Sequence, residues 1–103
     1  MAVYMISYDI EVADSFEYSS LYEAIAGISG DWSHPLESVW FVDTTTMSAS
    51  DIMNKLRPHL TIRKNGGDKI LIIRCTDDVS AHYESHDVDW INSPSRTWNN
   101  PPY

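Results

Sequence analysis

Two short apolar runs, AVYMISYD at residues 2–9 and DKILIIRC at residues 68–75, do most to limit what this chain can fold into. Each is shorter than a buried helix needs and rich in residues that suit a pleated surface, so both are read as strands. A run without regular polar alternation has no face to give to water. The first is therefore expected to be buried on both faces, and the second to lie centrally in a sheet. The first run stops on an acid, Asp9, which suits either a solvated strand end or a metal-binding carboxylate.

Between them the periodicity changes. In SSLYEAIAGISG, Tyr18, Leu21, Tyr22, Ile25 and Ile28 recur at helical spacing, with Gly30 as a terminator. HPLESVWFVDTTT is dense in β-branched and aromatic residues and reads as one bent strand or two short ones, with Pro35 marking a strand start or an edge. SASDIMNKLRPHL reads as a second helix: Ser48 is the N-cap, Asp51 lies in the first turn, and Ile52 and Leu56 share a face. Pro58 should end it near Arg57. RKNGGDK is a turn, and HLTIRK before it is a candidate hairpin partner for the run that follows. After Thr76 the sequence becomes polar and proline-rich while still carrying Trp90, Trp98 and Tyr103. This reads as an arm that packs on something, with a short helix near residues 79–86.

The order strand, helix, strand or hairpin, helix, strand predicts an α+β fold. A ferredoxin-like two-layer sandwich (βαββαβ or a close variant) over residues 1–76 fits it most economically, with a C-terminal arm at 77–103. Such a sheet has open edges, and a chain of 103 residues often protects one by pairing with another copy, so a homodimer is expected.

Charge narrows the partners. The formal net charge is −8, and residues 1–54 hold nine acids and no Lys or Arg. Long nucleic acid is therefore disfavoured, because its affinity comes from neutralising phosphates. Six of the seven bases, Lys55, Arg57, Arg63, Lys64, Lys69 and Arg74, fall between residues 55 and 74, leaving only Arg96 outside. An anion site built from side chains of one copy must draw on these. No run approaches the roughly 20 apolar residues of a membrane span. The sequence opens with no secretion signal and has a single cysteine, Cys75, so a cytoplasmic setting is expected.

MAVYMISYDI, DWSHPLESVWFVDTTTMSASDIMNKLRPHL and DKILIIRC together resemble the SinR-like proteins, small prokaryotic relatives of the second core CRISPR-associated protein. The resemblance covers about residues 1–75 and is carried by Tyr8-Asp9 and by Ser38-Val39-Trp40-Phe41. It implies a ferredoxin-like fold, and it implies that Asp9 binds Mg2+ across a dimer interface and serves a nuclease. Two Asp9 carboxylates facing each other can share a hard cation whose remaining ligands are water and substrate phosphate. Glu11, Asp14 and Asp43 are candidate supplements. The sequence departs from those relatives at His34, Pro35, Leu36 and Glu37, where they often carry basic residues.

Other constellations are weaker. His82 and His86 stand four apart near Cys75 and Asp78, a zinc-like donor set without HExxH or paired CxxC. Cys75, at the end of an apolar strand, reads as a buried thiol. No GxGxxG, GxxxxGK[ST] or GxSxG occurs. Trp32 and Trp40 are expected in the core, whereas Trp90 and Trp98 in the polar arm are expected as anchors or as a stacking platform.

Two functions compete. One is a dimeric metal-dependent nuclease with Asp9 as catalytic and metal-binding residue, or a degenerate relative that only binds. The alternative is a non-catalytic module for a small anionic, nucleotide-like ligand or a protein, of the kind found in phage and bacterial defence. Its candidate ligand contacts are Tyr8, Arg63, Lys64, Lys69, Trp90, Arg96 and Trp98.

Overall fold

Strand β1 (Ala2–Asp9) is buried along most of its length and has a strand neighbour on each edge. In the computed structural model, which describes residues 2–9, 15–60, 62–63 and 66–99, it is one of the two inner strands of a four-stranded antiparallel sheet. Helix α1 (Ser15–Ala26) follows, then strands β2 (Trp32–Leu36) and β3 (Val39–Thr44), helix α2 (Ala49–Leu56) and a 3-10 turn at Arg57–His59. A two-residue pair, β4 (Ile62–Arg63) with β5 (Gly66–Gly67), leads into β6 (Lys69–Cys75). Helix α3 (Ser85–Ile91) and a 3-10 turn at Thr97–Asn99 complete the α+β fold.

The sheet order is β2-β3-β1-β6. Ala2 faces Thr44 and Ser7 faces Val39 on one side of β1, while Val3 faces Cys75 and Asp9 faces Lys69 on the other. The even residues of β1, Ala2, Tyr4, Ile6 and Tyr8, share a core with Leu21, Ile25 and Ile28 at the α1 end and with Ile52 and Leu56 of α2. Trp40 and Val42 of β3 fill its centre. The odd residues face the other side of the sheet, where α3 packs against β2 and the last 3-10 turn lies against β1.

Several local expectations are realised with changed boundaries. HPLESVWFVDTTT forms two strands joined at Glu37-Ser38; Pro35 sits in the outer strand β2, within an irregular stretch between Ser33 and Leu36. Helix α2 starts on a full capping box: Ser48 Oγ accepts from the Asp51 N–H at 3.2 Å, and Asp51 Oδ2 accepts from the Ser48 N–H at 2.9 Å. It gives way to the 3-10 turn where Pro58 stands. The short helix expected at 79–86 lies later, at Ser85–Ile91.

One reading is corrected. DKILIIRC was expected to be central, yet β6 is the outer strand opposite β2. Ile70 and Ile72 pack partly against the core, while Leu71 and Ile73 remain 54% and 43% exposed on the other face. An apolar run records that both faces prefer cover, not that one copy of the chain supplies it. No helix among the described residues is long and apolar enough to cross a membrane.

Candidate functional site

The predicted site residues separate into two groups. Tyr8, Asp9 and Lys69 come together at the far end of β1. Asp9 is exposed, its cross-strand neighbour is Lys69, and both line an open depression of about 230 Å³ with Ser7, Tyr8, Ile70 and Leu71. Opposite charges side by side give this position both an acceptor and a cation.

The ground beneath Asp9 is firm. Tyr8 is buried; its N–H donates to the Ser38 carbonyl at 3.0 Å and its hydroxyl donates to the Glu37 carbonyl at 2.9 Å. Trp40 Nε1 donates to that hydroxyl at 3.2 Å. His34 stacks on Trp40 at 4.2 Å between ring centres and meets Tyr22 edge-on at 5.1 Å, and its Nε2 donates to the same Glu37 carbonyl at 3.1 Å. Trp32, expected in the core, instead leans on Trp40 at 4.8 Å and stays 41% exposed. These contacts tie the end of β1 to the β2–β3 turn and make Tyr8 a support for the depression.

Trp90 and Arg96 lie on the face opposite the Tyr8 core, the same face that carries Asp9 and Lys69 by register, and form a polar clasp with Asp31 and Asp43. The guanidinium of Arg96 is buried; Nη1 donates to Asp31 Oδ1 at 2.8 Å and reaches Asp43 Oδ2 at 3.5 Å. It lies 3.9 Å from the centre of the Trp90 ring, a cation–π contact. Trp90 Nε1 donates to Asp31 Oδ1 at 2.9 Å. Asp43 also accepts from the Thr97 N–H at 3.1 Å and the Thr97 hydroxyl at 2.7 Å. Arg96 Nε is buried with no hydrogen-bond partner among the described residues. The charge of Arg96 is thus already neutralised by two acids, and its planar face is covered by an indole.

A second tie fixes α3. The Ser33 hydroxyl donates to Asp87 Oδ1 at 2.5 Å, and His86 Nε2 lies 3.0 Å from Asp87 Oδ2. Trp98 is part-buried in the last 3-10 turn. Asp31, Ser33 and Asp87 were not singled out in the sequence. Their partners lie more than fifty positions away, and no local spacing marks such a pairing.

Arg63 is placed in β4 opposite Gly66. Lys64, Glu11, Asp14 and Tyr103 lie outside the described residues. Among the described residues no group of three His, Cys, Asp or Glu gathers in a way that can hold a metal ion. Asp9 is the one carboxylate among the described residues that line the depression, with Lys69 as its cross-strand neighbour. Cys75 is half-buried, and burial pushes its thiol above the ordinary value, partly countered by a backbone hydrogen bond from Met5. Tyr83 is pushed up by burial and, less, by Asp87.

Comparison with known proteins finds no matching family model, no matching curated protein and no matching solved structure.

Proposed function

We propose that this protein is a non-catalytic binding module of ferredoxin-like fold that works as a homodimer and takes a compact nucleotide-like ligand in the depression beside Asp9 and Lys69. The ferredoxin-like reading is supported by the strand order β2-β3-β1-β6, antiparallel throughout. It is supported also by the connectivity, with α1 between β1 and β2 and α2 between β3 and β6. The observation that carries the functional reading is the pairing of Asp9 with Lys69 across β1 and β6 at the rim of that depression. A carboxylate accepts from ribose hydroxyls or amino groups and an ammonium pairs with phosphate, so one small ligand satisfies both. The dimer reading draws on Leu71 and Ile73, two large apolar side chains left uncovered on an outer strand.

Titration calorimetry with nucleoside monophosphates tests the ligand. Measurable binding that Lys69→Ala weakens at least tenfold supports the reading; no heat at millimolar ligand overturns it. The nuclease reading rests on the exposed Asp9 at the end of β1 and on the resemblance to the SinR-like group. Mg2+-dependent cleavage of short RNA or DNA by the parent protein would favour it instead.

A further inference from the structure

We propose that two copies join by antiparallel pairing of β6 with β6 about a two-fold axis at Ile73, and that each copy walls the other's Asp9 depression with the segment at Asp77. This inference rests on the homodimer reading and adds the surface, the register and the composition of the site. Among the described residues no strand pairs with the outer side of β6. A strand edge-on to solvent in this way is a template for another strand, and the strand nearest to hand is its own copy.

The register follows from faces and charges. In an antiparallel pair, directly opposite residues lie on one face, so a two-fold perpendicular to the sheet must pair odd residues of β6 with odd. With Ile73 at the centre, Ile73 meets the partner's Ile73 and Leu71 meets the partner's Cys75, while Lys69 comes level with the partner's Asp77, in the bend that follows the end of β6. The other face then pairs Ile72 with the partner's Arg74 and Ile70 with the partner's Thr76. Centring on Ile72 sets Lys69 against Cys75, and centring on Leu71 sets it against Ile73. Neither alternative gives Lys69 a counter-charge. The Ile73 register buries the two uncovered side chains of β6, Leu71 and Ile73, in one strip, and supplies two opposite-charge pairs by symmetry.

The same register completes the site. Asp9 lies beside Lys69 on β1, so Asp9, Lys69 and the partner's Asp77 form a row across the joint. The depression lined by Ser7, Asp9, Lys69 and Leu71 then gains a wall from residues 75–77 of the partner. Two such depressions arise, one at each end of the paired strands. The two Asp9 positions stand eight residues apart along the strands and three strand spacings apart across them, roughly 30 Å in all, too far to share a cation.

Sedimentation, a charge in the strip and a cross-link test this together. The parent should sediment as a dimer, and Ile73→Lys, a change at an exposed position, should halve the mass with an unchanged circular dichroism spectrum. Leu71→Cys, mildly oxidised with copper-phenanthroline, should give a covalent dimer through Cys75, since directly opposite Cα atoms fall in disulfide range. Leu71→Cys/Cys75→Ser should give none. A dimeric parent whose Ile73→Lys variant stays dimeric, or whose Leu71→Cys variant fails to cross-link beyond the parent level, overturns the register while leaving the homodimer reading standing. A monomeric parent overturns both. Nucleotide binding by that monomer would leave the ligand reading intact.

Discussion

Trp90 and Arg96 both donate to the same oxygen, Oδ1 of Asp31, at 2.9 and 2.8 Å, while the guanidinium lies 3.9 Å from the centre of the indole. One carboxylate at the start of β2 thus holds two side chains from the distant end of the chain. The arrangement makes the last part of the chain a fastener for the sheet's second face, with the indole covering the guanidinium while the Asp31 carboxylate stays half-exposed.

Removing the cation should therefore be costly. Arg96→Met leaves Asp43 buried beside Asp31 with no guanidinium between them, and loss of one partner of a buried pair destabilises by about 3 kcal/mol or more. Urea denaturation of the two proteins measures it. A loss below about 1 kcal/mol would mean that Thr97 alone satisfies Asp43.

Truncation after Asp87 should lower the melting temperature and weaken assembly. It removes Trp90, Ile91, Arg96 and Thr97, of which Ile91 is 2% exposed and Arg96 is 4% exposed. It also cuts α3 (Ser85–Ile91) in its first turns. A truncated protein with unchanged thermal unfolding and mass would show that the fastener contributes nothing to the sheet.

Asp9→Asn should leave the fold intact, since Asp9 is exposed, and should weaken nucleotide binding by removing the charge that accepts from the ligand. Parent and variant alike should show no Mg2+-dependent cleavage of short RNA or DNA. Cleavage by the parent that Asp9→Asn abolishes would return Asp9 to a metal-dependent mechanism.

The capping box sets an acid limit. The Ser48 N–H, and secondarily the Ser48 hydroxyl, hold the Asp51 carboxyl below its ordinary 3.8. A folded value below the unfolded one means that the stabilisation is complete above about pH 5 and fades as pH falls through 3.8 toward the folded value. The stability gap between the parent and Asp51→Ala should be constant from pH 5 to 7 and shrink below pH 4. Urea midpoints across that range report it.

Cys75 should react slowly. With its thiol raised by burial, less thiolate is present at neutral pH than in a free cysteine. Ellman's reagent should label the folded protein more slowly than the urea-unfolded chain, with a pH–rate curve displaced upward. Equal rates in both states would contradict the burial seen at this strand end.

The elements defined by short-range chemistry were legible in the sequence: Ser48, Asp51 and Pro58 bound α2, and the doubly apolar β1 lies inside the sheet. Tyr8, Asp9 and Lys69 were named as candidates on separate grounds, and strand register brings them together. The placement of β6 was misjudged because its composition describes what its faces prefer, while its position depends on which strand reaches it. Arg96 was grouped with anion contacts because a lone base in an acidic chain resembles a ligand donor. Its assignment depended on Asp31 and Asp43, whose approach to Arg96 comes only from the tertiary fold.

Strand β1 also has a kinetic consequence. Every ladder bond it makes waits for a later part of the chain: Ser7 needs Val39, and Asp9 needs Lys69. Closing those loops costs entropy before any contact returns it, so the inner strand joins its outer neighbour β6 only after nearly three-quarters of the sequence is available. Until then an apolar ribbon with two unsatisfied sides is open to any other unfinished chain. Refolding should therefore be slow for a protein of this size, and its yield should fall as concentration rises.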